Sequence, residues 1–138
     1  MHAVRDASSW EMLLPTLPKV DIVIQDCDVR LGRDIRVFVV GKEIIGAVLR
    51  KNNNDFRANF KLGGSAESYS LNDSERDIVQ TIINHFHFGM VGIDFLMDHQ
   101  GKLLFNEIED VVGSRTLSAT SNINIVKKYI QWIKDQMR

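Results

Sequence analysis

Cysteine is almost absent from this chain, since Cys27 is the only one in 138 residues. An internal disulfide is therefore excluded, and a metal site built from several thiolates is not expected. A large excess of one charge is also missing, because the net charge is −1 at pH 7. Such a balance creates no field that would attract nucleic acid or an anionic membrane, so we expect neither as a partner. Any phosphate binding must come from a local cluster of residues.

Long apolar runs are missing as well, because no stretch reaches the roughly 20 apolar residues that a membrane-spanning helix needs. Residues 1–6, MHAVRD, lack the apolar core of a secretory signal. We therefore expect a cytoplasmic protein. With 44% hydrophobic residues, a chain of this length suits one compact domain with a real core.

The order of helical and strand patterns favours an α+β fold with a mainly antiparallel sheet and packed helices. Helical patterns cover three stretches. These are residues 6–14, a stretch that begins after the N-cap Asn72 and ends at Gly89, and residues 124–137. Strand patterns cover residues 20–25, which read as a buried strand, and residues 34–40, 43–50, 91–97 and 102–109. Residues 52–65 are polar and show neither period, so we expect a loop there.

The two strands at residues 91–97 and 102–109 carry a group of carboxylates. If Gln100 and Gly101 form a two-residue turn, His99 faces Lys102 and Asp94 lies directly opposite Glu107. Side chains opposed in this way have Cβ atoms about 4.5–5.5 Å apart. Glu109, two residues further on, projects from the same face.

Like charges that face each other destabilise a sheet, and a divalent cation would remove that repulsion. The carboxylates of Asp94, Glu107 and Glu109 therefore suggest a metal site. Two alternatives stay open on spacing alone. Acidic residues are common on exposed strand faces, and a four-residue loop over residues 98–101 would shift the register.

Four segments resemble ATP-grasp ligases of the ribosomal-protein glutamate ligase (RimK) type. Residues 32–41 read GRDIRVFVVG and resemble that family's GRDIRxFVVG segment. The stretches FRAN at 56–59 and GGSA at 63–66 are similar to its FRxN and GGxA loop. VGID at 91–94 and NEIE at 106–109 are similar to its AGVD and xEVN strands. Order and spacing agree over most of the chain, so the resemblance implies the C-terminal subdomain of the ATP-grasp fold over residues 1–138.

The resemblance also implies roles for the matched residues. Asp94 and Glu107 match ligands of Mg²⁺ (or Mn²⁺), and Glu109 stands where the family usually has asparagine. Asp34 matches the acid that receives the ribose hydroxyls of ATP. The remaining matched residues fall into two groups, an adenine-reading segment and a phosphate-facing set: Gln25, Asp26 and Cys27 in the first, and Arg36, Arg57 and Asn59 in the second.

What the resemblance implies for function is an ATP-dependent ligase that activates a carboxylate as an acyl phosphate, which an amine then attacks. Its substrates would be a small-molecule or peptide carboxylate and an amine. The family's lysine-bearing strand and glycine-rich loop do not precede Val20. We therefore expect that the isolated chain turns over nothing and needs a missing N-terminal half, and a homodimer is the other partner that its uncovered surface invites.

Two other functions stay open on the sequence. A nucleotide-binding module could have kept the fold and lost the chemistry, as the glutamate at position 109 suggests. An interaction domain could use the surface on which the missing half once packed. The single thiol of Cys27, near the expected adenine pocket, is interpreted as buried and inert rather than catalytic.

Overall fold

The computed structural model describes residues 2, 4–24, 28–52, 64–110 and 112–137. Its centre is a five-stranded antiparallel sheet in the order β3-β2-β1-β4-β5. The strands are β1 (Arg33–Val40), β2 (Glu43–Lys51), β3 (Ser65–Tyr69), β4 (Met90–Met97) and β5 (Leu103–Glu109). The helices are α1 (Ala7–Leu13), followed by a 3₁₀ turn (Leu14–Thr16), α2 (Asp73–His85), α3 (Arg115–Thr120) and α4 (Ile125–Gln136).

Residues of β1 and β4 alternate between the two faces of the sheet, and helices cover both faces, so the sheet has a core on each side. On one face, Ile35, Ile93 and Phe95 pack with Val79 and Ile83 of α2. On the other face, the core is formed by strand residues and by α3 and α4: Phe38, Val40, Val48, Leu117 and Ile125. Within the described residues, no helix is long and apolar enough to cross a membrane.

The α+β fold with a mainly antiparallel sheet is confirmed. The predicted capping of α2 is also confirmed, since the Asn72 side chain accepts from the Glu75 amide and the Glu75 carboxylate accepts from the Asn72 amide. Two elements had no sequence signal that we used. These are the edge strand β3, at the end of the predicted loop, and the short helix α3.

The predicted buried strand at residues 20–25 is wrong over its described part. Val20, Ile22, Val23 and Ile24 are all exposed. None of the described strands pairs with this segment, so within the described part of the chain no strand neighbour covers its apolar side chains. The composition of this segment favours a β-strand, but a strand forms only where a neighbouring strand is present to pair with it.

The turn between β1 and β2 is fixed by contacts with both α2 and α4. Gly41 has φ 59°, and a Cβ atom there would lie 2.8 Å from Cδ1 of Trp132 on α4. Its neighbour Lys42 donates through Nζ to the carbonyl oxygens of Ile83 and Phe86, at 2.7 and 2.6 Å. The glycine is therefore required twice, for its backbone conformation and for the space beside the indole.

Replacing Gly41 with alanine should destabilise the protein by about 3 kcal/mol or more, because a left-handed backbone and a steric clash act together. Gly101→Ala is the matched control, since Gly101 also has a positive φ (89°) but no atom lies within 4 Å of the added methyl group. That variant should lose only about 1–2 kcal/mol. Urea unfolding followed by circular dichroism measures both, and equal losses would contradict the role given to Trp132.

A hydrogen bond links the edge strand β3 to the start of α2. The Tyr69 hydroxyl donates to Oε1 of Glu75 at 2.8 Å, while Oε2 accepts from the Asn72 amide at 2.9 Å. Burial and this contact with the carboxylate raise the pKa of Tyr69 to about 12. The folded protein therefore holds the phenolic proton more tightly than the unfolded chain does.

The raised pKa of Tyr69 predicts how the stability of the protein changes at alkaline pH. The contribution of Tyr69 is complete below its unfolded pKa of about 10 and is lost as the pH rises toward about 12. Tyr69→Phe should be less stable by about 1 kcal/mol at pH 8, because the hydrogen bond is gone. The variant should then lose less stability between pH 8 and pH 11.5 than the unmodified protein. Parallel loss in both proteins, measured by urea unfolding at each pH, would contradict this.

Candidate functional site

The hairpin of β4 and β5 places Asp94 opposite Glu107, as the sequence predicts. The route to that register differs from the predicted one. Asp98 pairs with Lys102 through a 3.0 Å backbone hydrogen bond, so the turn has three residues and not the two of a Gln100-Gly101 turn. His99 therefore does not face Lys102. Between Phe105 and Glu107, β5 contains one extra residue, which forms a bulge opposite the step from Asp94 to Phe95. This bulge shifts the pairing by one residue, so that Asp94 still lies opposite Glu107.

Asp94 is the centre of a charged cluster on the sheet face that α3 and α4 cover. It is only 3% exposed. Arg36 on β1 binds it through two hydrogen bonds, Nε to Oδ1 at 2.7 Å and Nη2 to Oδ2 at 2.6 Å. Arg50 on β2 adds a third, Nη2 to Oδ2 at 2.8 Å. A carboxylate buried this deeply requires such paired charges, and it has them.

Arg50 also holds Asp34, through Nε to Oδ1 at 2.6 Å and Nη2 to Oδ2 at 2.7 Å. The two residues face each other because a bulge after Phe38 shifts the β1–β2 register by one residue. Gly46 inside a strand pattern was the available signal for this bulge.

Glu109 joins the cluster from the edge strand β5. Its Oε2 atom is buried and forms an ion pair with Nη1 of Arg36, yet it receives no hydrogen bond of good geometry. Gly92 lies opposite Glu109 on β4, and a Cβ atom at Gly92 would lie 3.3 Å from Cδ of Arg36 and 2.7 Å from Cγ2 of Val112. Because Gly92 has no side chain, the Arg36 side chain can cross β4 at this position and reach Glu109.

Electrostatically, the cluster carries more negative than positive charge. Asp34, Asp94 and Glu109 bring three negative charges and Arg36 and Arg50 bring two positive charges, which leaves one negative charge in excess. Burial raises the pKa of Asp34, and the hydrogen bond and charge of Arg50 offset only part of that effect. Burial alone would lower the pKa of Arg50, but the hydrogen bond with Asp34 and the charge of Asp94 outweigh the effect of burial, so the pKa of Arg50 is raised.

The predicted metal ligands lie on one face, but they do not all meet. Glu107 is exposed at the rim, while both oxygens of Asp94 accept from arginine. In the described part of the chain, no group of three or more His, Cys, Asp or Glu side chains could hold a metal ion. The donor chemistry does fit a hard divalent cation, since carboxylate oxygens, an excess negative charge and a buried, incompletely bonded Glu109 oxygen lie together.

The remaining predicted site residues lie outside the described residues. These are the adenine-reading segment and two members of the phosphate-facing set: Gln25, Asp26, Cys27, Arg57 and Asn59. Their assigned roles stay predictions. Of the rest, Asp34, Arg36, Asp94 and Glu109 are brought into one cluster, with Glu107 at its edge.

The cluster predicts unequal effects on stability for its two directly opposed acids. Asp94→Asn should lose about 3–5 kcal/mol, because it leaves two buried guanidinium groups without their shared partner. Glu107→Gln should change stability by less than about 0.5 kcal/mol, because Glu107 is exposed. Urea unfolding at pH 7 measures both changes. A near-neutral Asp94→Asn would show that the ion pairs contribute little.

Solved structures with the same fold include ATP-grasp ligases. The chain aligns with the ligase PsnB, in its complex with a phosphomimetic variant of minimal precursor, Mg and ADP, at a TM-score of 0.60. The alignment covers 78% of this chain and 33% of PsnB at 18% identity, a likeness that speaks for the fold alone. The five-stranded sheet and its helices therefore define an ATP-grasp ligase fold.

The family assignment follows from the sequence matches. The family model of the RimK-like ATP-grasp domain matches residues 4–133, and the chain belongs to this family. A probable alpha-L-glutamate ligase of Enterobacter sp. (strain 638) is 34% identical over 104 residues, covering 75% of this chain and 34% of the relative. A ribosomal protein bS6–L-glutamate ligase of Escherichia fergusonii is 33% identical, with the same coverage. The chain thus spans about a third of the length of these relatives.

Proposed function

We propose that this chain supplies the metal- and nucleotide-binding part of an ATP-dependent carboxylate–amine ligase. The observation that carries the proposal is the cluster around the buried Asp94, in which three acids outnumber the two arginines that bind them. Such a site attracts a divalent cation, and Mg²⁺ in proteins is typically held by one or two carboxylates together with nucleotide phosphates. Membership of the RimK-like family supports the same chemistry.

In this proposal Asp94, Glu107 and Glu109 hold Mg²⁺ (or Mn²⁺), and Asp34 receives the ribose hydroxyls of ATP. When bound, the cation would neutralise charge on the transferred phosphoryl group. Arg36, whose guanidinium already lies beside Asp94, would face the phosphates. Arg57 and Asn59 would add donors to the acyl-phosphate intermediate, and Gln25, Asp26 and Cys27 would contact adenine.

The substrate class follows from the relatives and not from this site. One relative is a ribosomal protein bS6–L-glutamate ligase, and PsnB was solved with a precursor variant. We infer a peptide or small-molecule carboxylate and an amine as substrates.

A second function, a nucleotide-binding module without catalysis, has one specific observation in its favour. Arg36 and Arg50 are both engaged by carboxylates, so neither guanidinium is positioned to stabilise a phosphoryl group during its transfer. A module of this kind would bind ATP with little dependence on metal.

Calorimetric titration of the chain with ATP, with and without Mg²⁺, separates the two functions. The ligase proposal expects weak binding that depends on Mg²⁺ and that falls roughly tenfold in Glu107→Gln, as the loss of one charge-assisted contact implies. Glu67→Gln is the matched control, an exposed strand glutamate on β3 that pairs with Lys51 away from the cluster. Equal heats with and without Mg²⁺ would favour the binding module, and an unaltered Glu107→Gln would remove the basis of the ligase proposal.

A further inference from the structure

Arg36 occupies the position between two of the proposed metal ligands. Its Nε and Nη2 atoms bind the carboxylate of Asp94 on β4, and its remaining terminal nitrogen, Nη1, pairs with Glu109 on β5. One guanidinium thus bridges two acids on neighbouring strands. The Arg36 side chain is 12% exposed, and its two partners differ, since the Asp94 side chain is 4% exposed and that of Glu109 is 39% exposed. The bridge therefore runs from a buried carboxylate to one that solvent can reach.

We propose that the Arg36 guanidinium is a built-in substitute for the divalent cation, and that metal binding displaces it from Asp94 and Glu109. The inference rests on the proposed function, since it assumes that these acids bind the metal. A guanidinium and a divalent cation at the same two carboxylates would repel each other over a few ångströms of low-dielectric interior. Arg36 therefore leaves when the cation arrives, and becomes free to bind an anionic phosphate.

Arg50 differs from Arg36 in a way that makes it the internal reference. It shares Asp94, but its Nε atom and one Nη2 contact belong to Asp34, and its pair with Asp34 does not depend on Glu109. A cation at Asp94 and Glu109 would remove one contact of Arg50 and all the bridging contacts of Arg36. Arg50 should therefore stay in place.

The exchange also couples metal and nucleotide. A metal that releases Arg36 provides a cationic donor for the phosphates, and a nucleotide that binds Arg36 empties the carboxylates for the metal. Each ligand should tighten the binding of the other by the same factor, as linkage requires. Gly92 makes this movement feasible, because the groove over β4 in which Arg36 lies contains no side chain from that position.

The direct test is an NMR titration of the unmodified chain with MgCl₂, which follows the Nε–Hε signals of the two arginines. Arg36→Gln and Arg50→Gln spectra assign the signals. Since each Nε donates to a carboxylate at 2.6–2.7 Å, both signals report the hydrogen bond that matters. We expect Mg²⁺ to shift the Arg36 signal and to leave the Arg50 signal close to its starting position. A saturating Mg²⁺ titration that leaves Arg36 unmoved overturns the proposal.

A second measurement compares Mn²⁺ affinities by the relaxation of water protons. Removing the competing guanidinium in Arg36→Gln should tighten Mn²⁺ binding by roughly tenfold, the effect of one charged hydrogen-bonding partner. Arg50→Gln removes the same charge near Asp94 without removing the bridge, and should change the affinity by less than about threefold. Equal gains in the two variants would mean a general electrostatic effect and would contradict the substitution by Arg36.

These measurements distinguish a failure of the arginine exchange from a failure of the proposed metal site. If Mn²⁺ binds and Asp94→Asn weakens it, but Arg36 does not respond, the exchange is wrong and the metal site stands. If no divalent cation binds, or if binding ignores Asp94, the proposed function fails as well. Should Arg36→Gln not fold, Arg36→Lys keeps the charge but bridges only one acid at a time, and an Mn²⁺ affinity equal to that of the unmodified chain would count against the proposal.

Discussion

The buried carboxylate of Asp94 is the constraint on which the rest of the site depends. An unpaired charge in that position would cost several kcal/mol, so its neighbours on β1 and β2 must both present a guanidinium. This requirement divides one face of the sheet. Phe38, Val40 and Leu117 form an apolar core at one end, and the charged cluster occupies the other end. The same sheet thereby supplies a stable support and a polar site.

Much of this arrangement could be predicted from the sequence. Alternation of apolar residues located four of the five strands, and the capping residues Asn72 and Glu75 located α2. The strands and the helix cap are encoded over short stretches of chain, in periodicity and in local hydrogen bonds, which is why they could be predicted from a single sequence. The opposition of Asp94 and Glu107 was predicted as well, but from a two-residue turn; a three-residue turn and a bulge together produce the same pairing.

The parts that escaped prediction depend on contacts that no short stretch encodes. Each bulge moves a register by one residue, and the bulge after Phe38 brings Arg50 opposite Asp34. The exposed segment at residues 20–24 has strong strand character, but its environment and not its composition decides its state. Similarly, the pairing of Arg36 with Glu109 requires three strands, β1, β4 and β5, to be assembled first.

The hairpin of β4 and β5 contains two deviations that cancel, an extra residue in the turn and an extra residue beside Asp94. If the strands continued past Phe95 in the register that the turn sets, Asn106 would lie opposite Asp94, and the side chains at 107 and 109 would point toward the α2 face. One backbone irregularity on an edge strand therefore decides whether the two glutamates reach the charged cluster.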